Sequence, residues 1–171
     1  MIWKIVKHRD LSKEECLRIA SLKDQHWQHG VESQIQWMKD NIEMDDIHLM
    51  GEELEAGIIS LKAYMALINL TVQIDDQFVD CFGVGNVCVN KDSQHMGLGR
   101  TLLKEAEQYI KSHHKLGILL CKDALIPFYE NNGWELIRYN TAIVANRQYK
   151  HNIMLLNRDC ACINIAIEKN F

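Results

Sequence analysis

The sequence predicts an α/β protein with a mixed, largely antiparallel central sheet flanked by helices. Three observations predict it. Short β-rich runs alternate with helical periodicities along the chain. Apolar residues make up 47% and charged residues 25%, an ordinary globular composition. At 171 residues the chain fits about one domain. A domain of this size buries roughly 68–70% of its unfolded surface and needs no staples. The expectation is a single domain over 1–171.

The elements follow in order. Met1 to Lys7 alternates apolar and polar side chains and reads as a strand. Ser12 has the chemistry of an N-cap, with Glu14 and Glu15 in the first turn. Cys16, Leu17, Ile19, Ala20 and Leu22 give a helical face to about residue 27. Gly30 separates this helix from a second, Glu32 to Ile42. Ile47–Met50 and Ala56–Ile59 read as strands, with Gly51 near the turn. Leu61 to Leu70 suits a strand or a helix, and strand is preferred. Phe78 to Val89 is β-rich and carries Gly83 and Gly85, which mark a bulge or a close approach. A turn from Asn90 to Gly97 opens a helix to about His113, with Leu98, Leu102, Leu103, Ala106 and Ile110 on one face. Gly117–Cys121 is a short strand. Ile126–Asn132 is a helix with Pro127 at its start and Gly133 past its end. Strands at Trp134–Ile137, Ile143–Ala145 and Ile153–Leu156 complete the order β-α-α-β-β-β-α-β-α-β-β.

The bulk numbers exclude some functions. A net charge of −4 argues against a nucleic-acid binder that relies on bulk positive charge. No apolar run approaches the ~18–20 residues of a membrane span. Met1-Ile2-Trp3-Lys4 runs straight into a strand pattern and carries no signal peptide. The six cysteines form no Cys-x-x-Cys pair, and reduced thiols in a cytoplasmic protein are expected. His26 and His29 have the i, i+3 spacing of a metal pair, but no third ligand has recognisable spacing, so no metal is expected.

The segment Val87 to Arg100 carries the chemistry. A strand ends in Val87-Cys88-Val89, a polar turn follows, and Gly97 and Gly99 enter the long helix. Amides at a helix start point outwards, and the helix dipole adds partial positive charge. Glycines let a diphosphate approach the backbone. A Walker loop is excluded, because no Gly-Lys-Ser/Thr follows. A dinucleotide-binding βαβ unit fits poorly, because antiparallel-looking strands precede this one.

Val87-x-Val89, Gln94-x-x-Gly97-x-Gly99-Arg100, Leu119-Leu120-Cys121 and Pro127-Phe128-Tyr129-x-x-x-Gly133-Trp134 together resemble the GNAT superfamily of acyl-CoA-dependent N-acyltransferases. The resemblance covers residues 87–137. The usual proline after the strand is Lys91 here, and the usual first arginine of the turn is Gln94.

The resemblance implies acetyl-CoA as co-substrate. Backbone groups of Val87, Cys88 and Val89 would hold the pantetheine arm. Amides of Gln94, His95, Met96, Gly97, Leu98, Gly99 and Arg100 would bind the pyrophosphate. Tyr129 would protonate the departing thiolate; its structural alternative is a packed, hydrogen-bonded tyrosine. The family's fourth-strand glutamate corresponds to Gly83. Asp80 is the best substitute base, ahead of Glu53 and His48. Trp27, Trp37, His26, His29 and Glu32 fall where this fold commonly lines the acceptor pocket, and aromatics there also suit a core. Asp75, Asp76 and Asp80 would meet a cationic amine or form a solvated acidic turn.

The expected reaction moves an acetyl group to a primary amine, on a small molecule. Alternatives are a protein or peptide N-acetyltransferase and a catalytically silent acyl-CoA-binding sensor. The alternating tail after Asn157 suggests an extra strand for pairing with a second subunit in a homodimer.

Overall fold

A computed structural model of the chain describes residues 1–158, 162–169 and 171. They fall into two compact units: Met1–Ile68 with Asn86–Ala106, and Asn69–Gly85 with Glu107–Phe171.

In the first unit β1 (Ile2–Lys7) pairs antiparallel with β2 (Ile47–Glu55), which pairs antiparallel with the first part of β3 (Ile58–Ile74). Helix α1 (Lys13–Asp24) starts in a capping box. The Glu15 amide donates to the Ser12 hydroxyl at 3.2 Å, and the Ser12 amide donates to the Glu15 carboxylate at 2.8 Å. Helix α2 (Val31–Asn41) follows Gly30, whose φ of 86° only glycine adopts readily, and packs on α1. Ile19, Leu22, Met38, Leu49, Met50 and Met65 are among its buried side chains.

The expected turn position changes here. Gly51 lies inside β2 and not at a turn. The register shifts between Gly51 and Glu52, and a Cβ at Gly51 would sit 2.7 Å from the Trp3 ring, so glycine admits the indole. The turn is Ala56-Gly57, with φ of 49° and 82°. Leu61–Leu70 belongs to a single strand, which bears out the preference for strand over helix. Residues 63–68 are buried on both faces, which makes the apolar run continuous and hides the period of two.

The second unit takes in the end of β3, the start of β4 (Gln77–Val89), β5 (Leu116–Cys121), β6 (Glu135–Leu136), β7 (Arg138–Val144), β8 (Arg147–Gln148), β9 (Asn152–Leu156) and β10 (Cys162–Ile167). The strand order is β6-β9-β5-β4-β3-β10-β7-β8. The β4–β5 and β7–β10 pairs are parallel; β5–β9, β6–β9, β7–β8 and β3–β10 are antiparallel. Helix α3 (Leu98–Ser112) runs through both units, and α4 (Ile126–Glu130) has proline in its first turn. Trp134 is buried against Gly117, where a Cβ would come within 3.0 Å of the indole.

The tail departs from expectation. Strand β10 is paired on both sides within its own chain, with β7 and β3, so it is not a free edge awaiting a second subunit. Asp75 fastens it: the Asn164 amide donates to the Asp75 carboxylate at 2.9 Å, and the Asp75 amide donates to the Asn164 carbonyl at 2.7 Å. Asp75 is thus a sheet fastener. Cys160 lies outside the described residues. Phe171 lies against β4 at Gly83 and Gly85. A Cβ at Gly83 would be 2.8 Å from its ring and one at Gly85 2.8 Å from its backbone.

Candidate active site

The turn after β4 is fastened before it opens. The Asn90 amide donates to the Lys62 carbonyl at 2.8 Å, and the Lys91 amide to the Gln25 side chain at 3.1 Å. The Asn90 side chain accepts from the Asp92 amide at 3.0 Å. A single 3₁₀ turn, Lys91–Ser93, leads to Gln94 in an extended conformation. His95 (φ 63°) and Gly97 (φ 83°) then take left-handed conformations, with Met96 between them. Helix α3 begins at Leu98, and the Gly97 carbonyl accepts from the Thr101 amide at 3.1 Å.

A left-handed conformation is uncommon for a non-glycine residue, and histidine is among those that adopt it most readily. Alternating backbone signs turn successive amides towards one concave side. The first amides of α3 have no carbonyl one turn back, and they add the positive end of the dipole. Gln94 to Gly97 and Arg100 are exposed, and a Cβ at Gly97 would meet nothing within 4 Å. Glycine is therefore required there by backbone conformation, and the space beside it is open. This donor set fits a diphosphate.

Upstream, the β4–β5 register covers Cys81 to Val84, and Asn86 kinks the strand with φ of 54°. Val87 and Val89 are half-buried, while Cys88 is buried. Burial pushes the Cys88 thiol up to about 12, which keeps it protonated and unreactive. The Val89 carbonyl already accepts a hydrogen bond from His26 Nε2 at 2.7 Å. His26 is thus a strand-anchoring residue.

Tyr129 sits in α4 at 6% exposure, its ring edge-on to Phe128 and Trp134. Burial, with a smaller contribution from Cys121, pushes its phenol up to about 12. It holds its proton at neutral pH, as a general acid must. Asp80 is exposed on β4 and accepts from the Thr71 hydroxyl at 2.9 Å. Tyr129 and Asp80 belong to the second unit, and Val87 to Arg100 to the first.

Sequence reasoning missed a buried polar cluster in the first unit. His48 is fully buried, its Nδ1 2.9 Å from the Tyr64 hydroxyl and its Nε2 3.0 Å from His8 Nδ1. Burial first, then the neighbouring His8 and Lys23, push the His48 imidazole down to about 3. The ring is thus held in its neutral form inside a hydrogen-bonded chain with Tyr64 and His8, and its low basicity makes it a weak proton acceptor. Lys23 is 2% exposed, and its Nζ lies 3.9 Å from the centre of the Trp37 ring with no hydrogen-bond partner among the described residues. Trp37 thus covers a buried cation. His26 and His29 belong to no group of three metal-type side chains among the described residues.

An amide cradle between a β-strand and a long helix, set in a largely antiparallel sheet, defines the class as an acyltransferase fold. Residues 53–136 match the family model of the acetyltransferase (GNAT) domain. Among solved structures, ElaA of Escherichia coli is 19% identical with a TM-score of 0.64, over 91% of this chain and 99% of that one. An aminoglycoside 6′-N-acetyltransferase complexed with coenzyme A is 13% identical with a TM-score of 0.64, over 93% of this chain and 99% of that one. The GNAT family N-acetyltransferase YhbS of Escherichia coli, in complex with CoA, is 13% identical with a TM-score of 0.62, over 95% of this chain and 88% of that one. No curated protein matches the sequence. Residues 53–136 are thus similar to the GNAT acetyltransferase domain, and the chain shares the fold of GNAT N-acyltransferases over most of its length.

Proposed function

We propose that the protein is an acetyl-CoA-dependent N-acetyltransferase acting on a primary amine of a small molecule, with 1–171 as its one catalytic domain. The observation that carries this reading is the Gln94–Arg100 turn, where left-handed His95 and Gly97 lead exposed amides into α3. CoA-bound structures with the same fold support it. Amides of residues 94–100 hold the pyrophosphate, and Arg100 adds charge. Backbone groups of Val87, Cys88 and Val89 hold the pantetheine arm as an added strand, leaving the Val89 carbonyl to His26.

A neutral amine attacks the thioester carbonyl. The C–N bond forms, a backbone amide near Val87 or Cys88 stabilises the oxyanion, and the C–S bond breaks. Asp80 takes the proton from nitrogen, and Tyr129 gives its own to the departing thiolate. Four free thiols, Cys16, Cys81, Cys88 and Cys121, suit a cytoplasmic location.

Isothermal titration with acetyl-CoA tests the reading. The wild type should bind in the micromolar range and Gly97→Glu should not, because its carboxylate fills and repels at the cradle. Absence of wild-type binding would end the proposal. Phe171 on the Gly83 face favours a second reading, an acyl-CoA-binding module without turnover. Binding without release of coenzyme A to any amine in a broad screen would select it.

A further inference from the structure

A cavity of about 410 Å³ in the second unit is lined by Val79, Lys111, His114, Lys115, Leu116, Asn157 and Arg158. It falls within the size range of small-molecule sites, roughly 300–1,000 Å³. Every ionisable side chain on its wall is basic. The end of α3, the start of β5 and the segment after β9 bring them together.

The charges are unequal in use. Lys111 is paired with Glu107 one helical turn away. Lys115 has a neutral partner: its Nζ donates to the Asn69 side chain at 2.8 Å and lies 4.4 Å from the centre of the Phe82 ring. That fixes the ammonium in place without neutralising it. Arg158 has no carboxylate partner among the described residues. The bland account is that basic residues collect at the carbonyl end of α3. A helix end is worth only about half a negative charge. Lys115 and Arg158 alone exceed it, and neither lies in the helix.

We infer that this cavity is an anion site separate from the acetyl-CoA turn, and that it takes a small molecule bearing a di- or polyphosphate group. Arg158 supplies the forked donors that suit phosphate, and Lys115 a fixed point charge. Val79 and Leu116 give an apolar wall for the organic part. The site lies wholly in the second unit, whereas the turn at 94–100 belongs to the first. The inference does not rest on the acetyltransferase reading.

The probe is inorganic pyrophosphate, titrated calorimetrically into the full chain saturated with coenzyme A, so that the turn is already filled. The same titration on Gly97→Glu without coenzyme A removes the turn by another route. One site is expected in both, weakening as salt rises. Arg158→Met and Lys115→Met should each weaken it at least tenfold, and Arg158→Met does so without disturbing the Asn69 and Phe82 contacts of Lys115. Two results would overturn the inference: no pyrophosphate binding beyond the turn, or binding that survives both substitutions together.

Discussion

Lys23 is an interior cation with no counterion among the described residues, and burial pushes its ammonium down to about 8 from an ordinary 10.5. The folded state therefore binds fewer protons than the unfolded chain between those two values. Stability rises with pH across that window, and below about 8 the cost of burying the charge is present in full. Lys23→Met should raise the urea midpoint at pH 7 and abolish the rise towards pH 10; a lower midpoint at pH 7 would contradict this. Trp134 offers a parallel case, because its indole N–H is buried without a partner among the described residues. Trp134→Phe should cost less than its lost volume suggests, under about 1.5 kcal/mol, whereas Trp134→Ala should cost about 3–5 kcal/mol. Thermal melts of the pair distinguish the two terms. Tyr129→Phe should lower kcat about 100- to 10,000-fold with acetyl-CoA affinity unchanged. An unchanged kcat would leave Tyr129 as a packing residue only.

At the scale of elements, what the sequence makes readable is what a few neighbouring residues decide. Ser12 and Glu15 specify the start of α1 by themselves, and Ser12→Ala should cost about 1 kcal/mol in chemical denaturation. Pro127 and Gly133 bracket α4, and the 3.6-residue period marks α3, in the same local way. The turn from Gln94 to Arg100 and the helix behind it are legible for that reason: their residues are contiguous. The β2–β3 hairpin was read poorly, because Gly51 answers to Trp3 on another strand and not to a local turn. Strand β8 was missed, since its two residues follow an Ala145-Asn146 turn with φ of 49° and 61° and have no pattern of their own. The Lys23 and His48 cluster escaped notice because burial of a polar side chain is set by distant elements.

For the whole molecule, the tail is the clearest gap between sequence and structure. Alternation showed that residues after Asn157 form a strand, but alternation does not name the partner. The partners are β3 and β7 of the same chain. Truncation after Asn157 should thus uncover two strand edges and the contacts of buried Ile165 and Ile167, lower the melting temperature sharply and promote aggregation. Size-exclusion chromatography and a thermal melt check it together. A truncated chain that melts like the full one would mean that β10 contributes little to the sheet.

Phe171 resting on Gly83 and Gly85 couples three positions sterically. Any side chain at 83 or 85 collides with the aromatic residue or its backbone, so change at these sites should come in pairs. A carboxylate placed at 83 would need a shortened or rerouted tail, while a chain that keeps the aromatic anchor needs both glycines. The space that a side chain at 83 would take is filled by Phe171 and Leu70 instead.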